Sequence, residues 1–369
     1  MISWWRTELG EASLTHVGAA MAARQFSDGT FSLGCAAAIG QLLKAPHVVM
    51  TPSGSAALLM AMMALEIGPG DEVIVPDITW IATAHAASLL GARIRLVDTL
   101  PDTPLLDVGK VEAALTSATK AIVAVHLNGR SVDMPALMAL ARARRIAVVE
   151  DAAQAIYSYR NGGFLGTHGD IGCISLGMTK LVSAGQGGAV VTRDATLYDR
   201  MRRIKYHGVE TDAAGREHYR LQGFNFKMSD LCAALAHQQI LDIDSRRNHV
   251  VAVYDAYRAG LAGLTDIEIL SVDVQSGEIP LWTEVATPRR EALVAFLAER
   301  GIETRRIHEP LHRAPHLLGP DQDGRAFPLA TRLAAEGLIL PCGPAQPLKA
   351  VEQTIEAIRA FLSEGTGSA

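Results

Sequence analysis

Short apolar runs alternate with Ala-rich or amphipathic stretches along the N-terminal part of the chain. Four of these runs are rich in β-branched residues and recur about every 25 to 30 residues, at 93–98, 121–126, 146–149 and 171–175. Runs with so few polar residues are typical of strands that helices cover on both faces of a parallel sheet. The alternation of such strands with helical stretches therefore predicts an α/β fold with a mostly parallel central sheet.

The pattern changes near residue 242. A long polar stretch over 242–260 predicts a helix, the segment LWTEVAT (281–287) predicts a strand, and 289–300 predicts another helix. This mixture no longer repeats the strand and helix rhythm of the preceding chain. We therefore expect a large domain over 1–241, which includes the N-terminal segment, and a smaller C-terminal α+β domain over 242–369.

Composition narrows the class of protein. The 369 residues carry a net charge of −5 and are 49% hydrophobic, so nothing in the balance of charge calls for nucleic acid or an anionic membrane as a partner. The N-terminus has neither the basic start nor the apolar core of a secretory signal, and no apolar run reaches about 18 residues. The four cysteines lie far apart without metal-ligand spacing. We expect a cytoplasmic enzyme without a metal site.

Two charged residues stand out because each follows an apolar strand. Asp151 ends the run VVED, and Lys180 comes shortly after the run 171–175, with glycines around it. Open α/β folds bind ligands at the carboxyl edge of the sheet, so both residues are candidates for one cleft. Taken singly, Asp151 is equally explained as a helix N-cap, and Lys180 as a solvated surface lysine.

The two residue types have complementary chemistry if they share a cleft. A lysine whose pKa is lowered by burial can form a Schiff base with an aldehyde cofactor. An aspartate that is paired to the ring nitrogen of pyridoxal phosphate keeps this nitrogen protonated, so that the ring can accept electrons. Lys180 and Asp151 are therefore the candidate catalytic residues of a pyridoxal-phosphate enzyme.

Three motifs give the chain a family resemblance. The segments EDAAQA (150–155), GDIGCISLGMTK (169–180) and GQGGAVVT (185–192) resemble the DegT/DnrJ/EryC1/StrS family of pyridoxal-phosphate-dependent sugar aminotransferases. The resemblance implies the aspartate-aminotransferase fold, fold type I. It also implies that Lys180 carries the cofactor and acts as the base, and that Asp151 pairs with the pyridine nitrogen.

The resemblance implies further cofactor contacts. In SGSAAL (53–58), Gly54 and Ser55 match the family's phosphate loop, and Ser175 gives the phosphate a hydroxyl. Trp80 would stack on the pyridine ring, and Gln154 would lie near its phenolic oxygen. Spacing alone leaves simpler roles open, because a serine before a helix is often a plain N-cap, Trp80 fits a half-buried core aromatic, and Gln154 fits an exposed helix position.

The same resemblance implies one residue that contacts the cofactor of the other subunit and others that contact the substrate. Asn225, in FNFKMSDLCAAL (224–235), matches an asparagine that reaches the cofactor phosphate of the other subunit, which implies a homodimer with shared active sites. The alternative is a turn asparagine before a helix N-cap. His312, in the segment HEPLH (308–312), and Arg306 are the substrate-side candidates, and both Arg305 and Arg306 could meet an anionic substrate such as a nucleotide diphosphate. Pro310 argues against a helical zinc site in that segment.

Other positions either lack a catalytic assignment or depart from the family pattern. His126 fits a core histidine that is satisfied by the backbone as well as it fits a substrate contact. Asn128 replaces a tyrosine in HLNG (126–129), Gln186 replaces a glutamate, and the residues 176–179 before the lysine differ from those usual in the family. These changes bear on the substrate pocket more than on the cofactor.

The resemblance implies transfer of an amino group, with L-glutamate as the donor, to a keto-sugar that is nucleotide-linked. Two alternatives stay open. One is a keto-sugar dehydratase of the same family, although such members carry histidine in place of Lys180. The other is a non-catalytic sensor or regulatory protein that keeps the fold.

Overall fold

The computed structural model describes residues 1–319 and 321–364. The strands are β1 (His47–Thr51), β2 (Glu72–Pro76), β3 (Arg93–Val97), β4 (Thr119–Val125), β5 (Ala147–Asp151), β6 (Tyr159–Arg160), β7 (Gly163–Phe164), β8 (Ile171–Ser175), β9 (Gly188–Thr192), β10 (Val209–Thr211), β11 (Glu217–Tyr219), β12 (Glu268–Ile269), β13 (Thr283–Ala286), β14 (Arg305–Arg306) and β15 (Gly337–Leu340).

The helices pack around two of the sheets that these strands form. They are α1 (Glu11–Ala22), α2 (Thr30–Leu43), α3 (Gly54–Ala64), α4 (Ala82–Ser88), α5 (Val108–Ala114), α6 (Met134–Arg144), α7 (Ala195–Lys205), α8 (Asp230–Leu241), α9 (Ile243–Gly260), α10 (Arg290–Glu299), α11 (Pro328–Glu336) and α12 (Leu348–Glu364). Within the described residues, no helix is long and apolar enough to cross a membrane.

The large sheet has seven strands in the order β1-β9-β8-β5-β4-β2-β3. β8, β5, β4, β2 and β3 run parallel, and β9 runs antiparallel to both of its neighbours. The predicted α/β fold with a mostly parallel sheet is confirmed. The apolar runs of the sequence form the central strands, whose residues, such as Val148 and Ile174, are fully buried. Because β4, β5 and β8 are neighbours, their carboxyl ends meet at one edge of the sheet.

The second sheet lies in the C-terminal part of the chain. Its four strands are antiparallel in the order β12-β13-β15-β14. Helix α9 packs on α12, where a side chain at Gly260 would meet Ile355, and Tyr257 Oη donates a hydrogen bond to Pro341 O at 3.0 Å. This α+β segment lies within the predicted small domain, while the boundary between residues 241 and 242 stays a prediction.

The first residues of the chain pair with this second sheet region. Ile2 forms a bridge with Ile302, and Trp5 forms one with Cys342. The indole Nε1 of Trp5 also donates to Met178 O at 3.0 Å, in the loop that carries Lys180. The grouping of this segment with the large domain stays a prediction, since sequence periodicity does not reveal which distant backbone groups an extended segment pairs with.

Candidate active site

A cavity of about 380 Å³ opens at the carboxyl ends of β4, β5 and β8. Strand ends and the N-terminus of α3 converge there, and this is the edge at which open α/β sheets bind ligands. The structure brings most of the residues that were predicted to contact the cofactor into this one cavity, namely Gly54, Ser55, Trp80, Asp151, Gln154, Ser175 and Lys180.

Asp151 is the last residue of β5, and its carboxylate is held by two donors. Thr83 Oγ1 donates to Asp151 Oδ2 at 2.7 Å, and the backbone N–H of Ala153 donates to Oδ1 at 3.1 Å. The aspartate is 5% exposed and its hydrogen-bond partners fix its orientation. The bond to Ala153 closes a turn and not a helix cap, because no helix begins in the described stretch between β5 and β6, and the same side chain lines the cavity.

Lys180 lies in the turn after β8 and is half-buried in the cavity wall. Its Nζ stands 5.3 Å from the centroid of the Trp282 ring. Burial is the main cause that lowers the pKa of Lys180, to about 8, and the positive charge of Arg305 lowers it as well, while Asp151 opposes the shift. A solvated surface lysine has no such shift, so the site favours a reactive amine.

The N-terminus of α3 faces the same cavity. Ser53 caps the helix, since its side chain accepts a hydrogen bond from Ala56 N at 3.1 Å. The N–H groups in the first turn of a helix lack intrahelical partners, and Gly54 and Ser55 supply two of them to the cavity. A Cβ atom at Gly54 would lie 2.8 Å from Ser175 Cβ, so only glycine lets the helix approach the serine hydroxyl this closely. The arrangement has the form of a site that can hold an anion such as a phosphate group, and the phosphate role stays a prediction.

Gln154 and Trp80 form two other walls. Gln154 is 7% exposed, and its Oε1 accepts a hydrogen bond from Asn128 N at 2.8 Å. Its amide nitrogen has no hydrogen bond within the described part of the chain and can donate to a ligand. Trp80 is 52% exposed, and its ring lies 5.5 Å from the His308 ring. A half-exposed tryptophan on a cavity wall offers a flat face for stacking.

Three further residues line the cavity from the C-terminal part of the chain: Trp282, Arg305 and His308. Trp282 Nε1 and His308 Nε2 are buried polar atoms with no hydrogen-bond partner among the described residues. Burial is the main cause that lowers the pKa of His308 to about 4, and Lys180 and Arg305 add to the shift, so the imidazole is neutral at pH 7. Buried polar atoms without partners are costly, and here they point to a polar ligand.

Trp282 could not be recognised from the sequence, and His308 was considered there only as a zinc ligand. The strand signal of LWTEVAT marked the position of Trp282 but not the direction in which its ring points. Arg305 was named with Arg306 for an anionic substrate, and only Arg305 lines this cavity. Within the described residues, no group of three His, Cys, Asp or Glu side chains is arranged to hold a metal ion.

Three predicted residues lie outside the cavity. Arg306 is exposed and ion-paired with Glu291, at the rim of an adjoining groove. His312 is bound to Asp77, to which its Nδ1 lies at 2.6 Å. Asn225 is exposed, and its side chain accepts a hydrogen bond only from Lys227 N, at 3.3 Å, among the described residues. Their predicted roles in binding stay predictions.

His126 has a structural role. It is fully buried beside Glu150, with its Nε2 at 2.8 Å from Glu150 Oε2, and its Nδ1 accepts a hydrogen bond from Val132 N at 3.3 Å. Because a backbone N–H can only donate, Nδ1 carries no proton and Nε2 donates to the carboxylate. Both ring nitrogens are therefore hydrogen-bonded, Nδ1 with the backbone and Nε2 with the Glu150 side chain. His126 is a core histidine, which was one of its two interpretations from the sequence.

Comparison with known proteins agrees with this geometry. The family model of the DegT/DnrJ/EryC1/StrS aminotransferase family matches residues 7–359. GDP-perosamine synthase of Escherichia coli O157:H7 is 35% identical over 321 residues, covering 86% of each chain. UDP-N-acetyl-3-dehydro-alpha-D-glucosamine 3-aminotransferase of Acidithiobacillus ferrooxidans is 34% identical over 344 residues, covering 91% of this chain and 90% of the other. The crystal structure of S. venezuelae DesV in complex with a ketimine intermediate superposes with a TM-score of 0.92 at 31% identity, over 98% of both chains.

Proposed function

Since the chain belongs to the DegT/DnrJ/EryC1/StrS aminotransferase family, we propose that it transfers the amino group of L-glutamate to a nucleotide-linked keto-sugar. Its cofactor is pyridoxal 5′-phosphate. The observation that carries the proposal is the pair of Lys180, with a pKa lowered to about 8, and the buried Asp151 in one cavity. The relatives named for GDP-perosamine and for a dehydro-glucosamine nucleotide support a sugar as the amino acceptor.

The residues of the cavity fit pyridoxal phosphate. Gly54, Ser55 and Ser175 would hold the phosphate through N–H and hydroxyl groups, and Asp151 would hold the pyridine nitrogen. The amide nitrogen of Gln154 would donate to the phenolic oxygen. Bound pyridoxal phosphate supplies an aldehyde that carries the amino group and a ring that withdraws electrons from the reacting carbon.

Lys180 is the residue that would hold the cofactor and move the proton. Its lowered pKa leaves a share of the Nζ amine neutral near pH 7, as a nucleophile or a base requires. The Nζ amine would take the proton from the α-carbon of the amino donor and deliver it to the carbon of the cofactor that receives the amino group. The nearby positive charge of Arg305 favours the deprotonated amine and attracts the carboxylate of the donor.

Asp151 acts through its charge, and Thr83 keeps it in place. The hydrogen bond from Thr83 Oγ1 and the bond from Ala153 N leave the carboxylate aimed at the cavity. An ionised carboxylate at the pyridine nitrogen stabilises the protonated ring. Trp80 shields one face of the cavity and offers its ring for stacking.

The cavity continues into a groove of about 480 Å³, which supports a substrate larger than an amino acid. The two spaces share Trp80, Arg305 and His308 on their walls. The groove adds Arg306 and Arg313, which are ion-paired with Glu291 and Glu309, so a diphosphate in the groove would bind these arginines in exchange for exposed carboxylates. A keto-sugar in the cavity with its nucleotide diphosphate in the groove would use both spaces.

The proposal is tested with L-glutamate and a panel of GDP-, UDP- and dTDP-linked keto-sugars, together with free keto-sugars. We expect 2-oxoglutarate and an aminated sugar in equal amounts from at least one nucleotide-linked acceptor, measured by coupled assay and mass spectrometry. The Lys180→Ala variant should give neither product, whereas the exposed Lys349→Ala should behave like the wild type. A product that loses a hydroxyl without 2-oxoglutarate would indicate a dehydratase. Cofactor binding without turnover on the whole panel would indicate a sensor.

We infer a homodimer with shared sites from the exposure of Asn225 and of its apolar neighbour Phe224, which is 64% exposed. Mixing Lys180→Ala and Asn225→Asp proteins after mild dissociation tests this. If Asn225 serves the partner's site, each mixed dimer keeps one intact site, and random pairing restores about a quarter of the wild-type activity. If Asn225 serves its own subunit, no mixed dimer contains an intact site, and the mixture stays inactive.

A further inference from the structure

The turn that follows β4 joins the large sheet to the second sheet beside the active site. It comprises Leu127–Gly129, and Asn128 in its centre is fully buried with φ of 53° and ψ of 38°. This left-handed backbone is uncommon for residues other than glycine, and asparagine adopts it more readily than most. The next residue packs equally tightly, because a Cβ atom at Gly129 would lie 1.9 Å from Ile279 O.

Every polar group of the Asn128 side chain is used. Its Oδ1 accepts a hydrogen bond from Trp282 N at 2.6 Å, and its Nδ2 donates to Trp282 O at 2.8 Å and to Glu284 Oε2 at 2.8 Å. The backbone N–H of Trp282 can only donate, so the orientation of the amide is fixed by its partners. The side chain therefore clamps both backbone polar groups of Trp282.

Asn128 also reaches the cofactor cavity through its main chain. Its N–H donates to Gln154 Oε1 at 2.8 Å, which holds the glutamine with its amide nitrogen free for the cavity. On the other side, the ring of Trp282 lies 5.3 Å from Lys180 Nζ. Asn128 thus contacts Gln154, a candidate for cofactor binding, directly. It reaches the cavity wall beside Lys180 through Trp282.

A second clamp lies two residues further along the same turn. Arg130 Nη1 donates to Glu284 Oε2 at 2.6 Å, and its Nε and Nη2 donate to the carbonyl oxygens of Ser271 and Leu270. Arg130 and Asn128 therefore share the buried carboxylate of Glu284, which is 2% exposed. This network fixes the second sheet against the turn, while Asn128 alone extends the contact to the cavity.

We propose that Asn128 is a positioning residue of the cofactor site, which locks Trp282 and Gln154 in the arrangement that Lys180 requires. The proposal rests on the function proposed above for Gln154 and Lys180. The family resemblance places a tyrosine at this position, and a tyrosine side chain has no amide with which to bond both the N–H and the C=O of Trp282. Asn128 acts through its two neighbours and not by contact with the reacting atoms.

The test uses Asn128→Gly, because glycine keeps the left-handed backbone and removes only the side chain. Asn161→Gly is the matched control, since Asn161 has φ of 51° in an exposed turn away from the cavity. Pyridoxal phosphate is titrated into each apoenzyme and followed by absorbance, and thermal unfolding of the apoenzymes is measured alongside.

We expect Asn128→Gly to fold and to raise the dissociation constant of pyridoxal phosphate about tenfold, because the three side-chain bonds to Trp282 and Glu284 are lost while the main-chain bond to Gln154 remains. The kcat of the half-reaction with L-glutamate should fall similarly, with its KM unchanged within about twofold. Asn161→Gly should match the wild type. A folded Asn128→Gly with an unchanged dissociation constant and absorbance maximum would overturn the proposal.

Two other outcomes of this experiment still decide the role of Asn128. If Asn128→Gly does not fold, Asn128→Ser decides by the same criterion, because serine is short and uncharged and removes the amide without placing a second carboxylate beside Glu284. If the wild type binds pyridoxal phosphate but does not react with L-glutamate, the proposed donor fails. The dissociation constants still decide the role of Asn128 in that case.

Discussion

Replacing Trp282 with alanine should raise the pKa of Lys180. Burial is the largest cause of the lowered pKa of this lysine, and Trp282 is a 4% exposed residue whose ring stands 5.3 Å from Nζ. Removing the indole admits water to the amine and relieves part of the desolvation. The other two charges that act on Lys180, those of Asp151 and Arg305, stay in place in the variant.

The size of the effect follows from the two pKa values. An ordinary lysine has a pKa of 10.5 and Lys180 has one of about 8, a difference of about 2.5 units or about 300-fold in the ratio of neutral to charged amine. At pH 7 about a tenth of the wild-type amine is neutral, compared with about 3 in 10,000 for the ordinary lysine. If the pKa of Lys180 is one unit higher in Trp282→Ala than in the wild type, the neutral fraction of the amine at pH 7 falls about tenfold.

The rate at which the apoenzyme captures pyridoxal phosphate reports this fraction, since only the neutral amine attacks the aldehyde. Stopped-flow absorbance between pH 6 and pH 10 should show a rate that rises tenfold per unit below the pKa and levels above it. The wild-type midpoint should lie near 8, and that of Trp282→Ala should lie at least about one unit higher. Trp282→Phe, which keeps a ring, serves as the control, and circular dichroism checks the fold.

Two results would refute this reasoning. A wild-type midpoint near that of an ordinary lysine would mean that Lys180 is not buried when it reacts. Equal midpoints in the wild type, Trp282→Phe and a folded Trp282→Ala would mean that the indole does not control the environment of the amine. In the second case, the charge of Arg305 would become the cause to test.

Three further substitutions follow from the same structure. Asp151→Asn should lower the kcat of the L-glutamate half-reaction by about 100-fold or more while the cofactor still binds, and equal rates would contradict its role at the pyridine nitrogen. Thr83→Val should lower the same kcat about tenfold, because it removes the hydroxyl that donates to Asp151 Oδ2 at 2.7 Å. An unchanged kcat would mean that this hydrogen bond is dispensable. Glu150→Gln should lower the free energy of unfolding by roughly 1–3 kcal/mol, because the buried carboxylate accepts hydrogen bonds from His126 and from Gly166 N. Denaturant unfolding of the apoenzyme measures this change, and equal unfolding midpoints in the variant and the wild type would refute the prediction.

The site residues that follow the ends of strands could be predicted from the sequence. Asp151 and Lys180 each follow an apolar run, and the carboxyl ends of neighbouring parallel strands meet at one edge, so a shared cavity could be predicted without coordinates. The helix start at Ser53 could be predicted in the same way, because a serine before an apolar helix supplies a local cap.

The contacts that depend on distant parts of the chain could not be predicted. Thr83 reaches Asp151 across 68 positions, and Asn128 reaches Trp282 across 154. Such pairs are determined by the order of strands in the sheets and by the docking of the second sheet, and neither leaves a periodic signal in the sequence. The polar character of Asn128 gave no indication that it would be buried.

Arg305 and Arg306 illustrate a limit of another kind. Successive residues of a strand point to opposite faces, and here only Arg305 lines the cofactor cavity, while both arginines reach the adjoining groove. The sequence analysis favoured Arg306, whereas Arg305 lines the cavity and Arg306 pairs with Glu291. In a strand of two residues, β14, there is no alternation of apolar positions from which the inward face could be inferred.

The central claim is that Lys180 holds pyridoxal phosphate and uses it to take an amino group from L-glutamate. The most direct measurement is the absorbance spectrum of the protein with pyridoxal phosphate, before and after L-glutamate, beside Lys180→Ala. We predict a wild-type band near ~420 nm that moves to ~330 nm with L-glutamate and does not form normally in the variant. Identical spectra of wild type and variant, with no response to L-glutamate at any pH, would contradict the account.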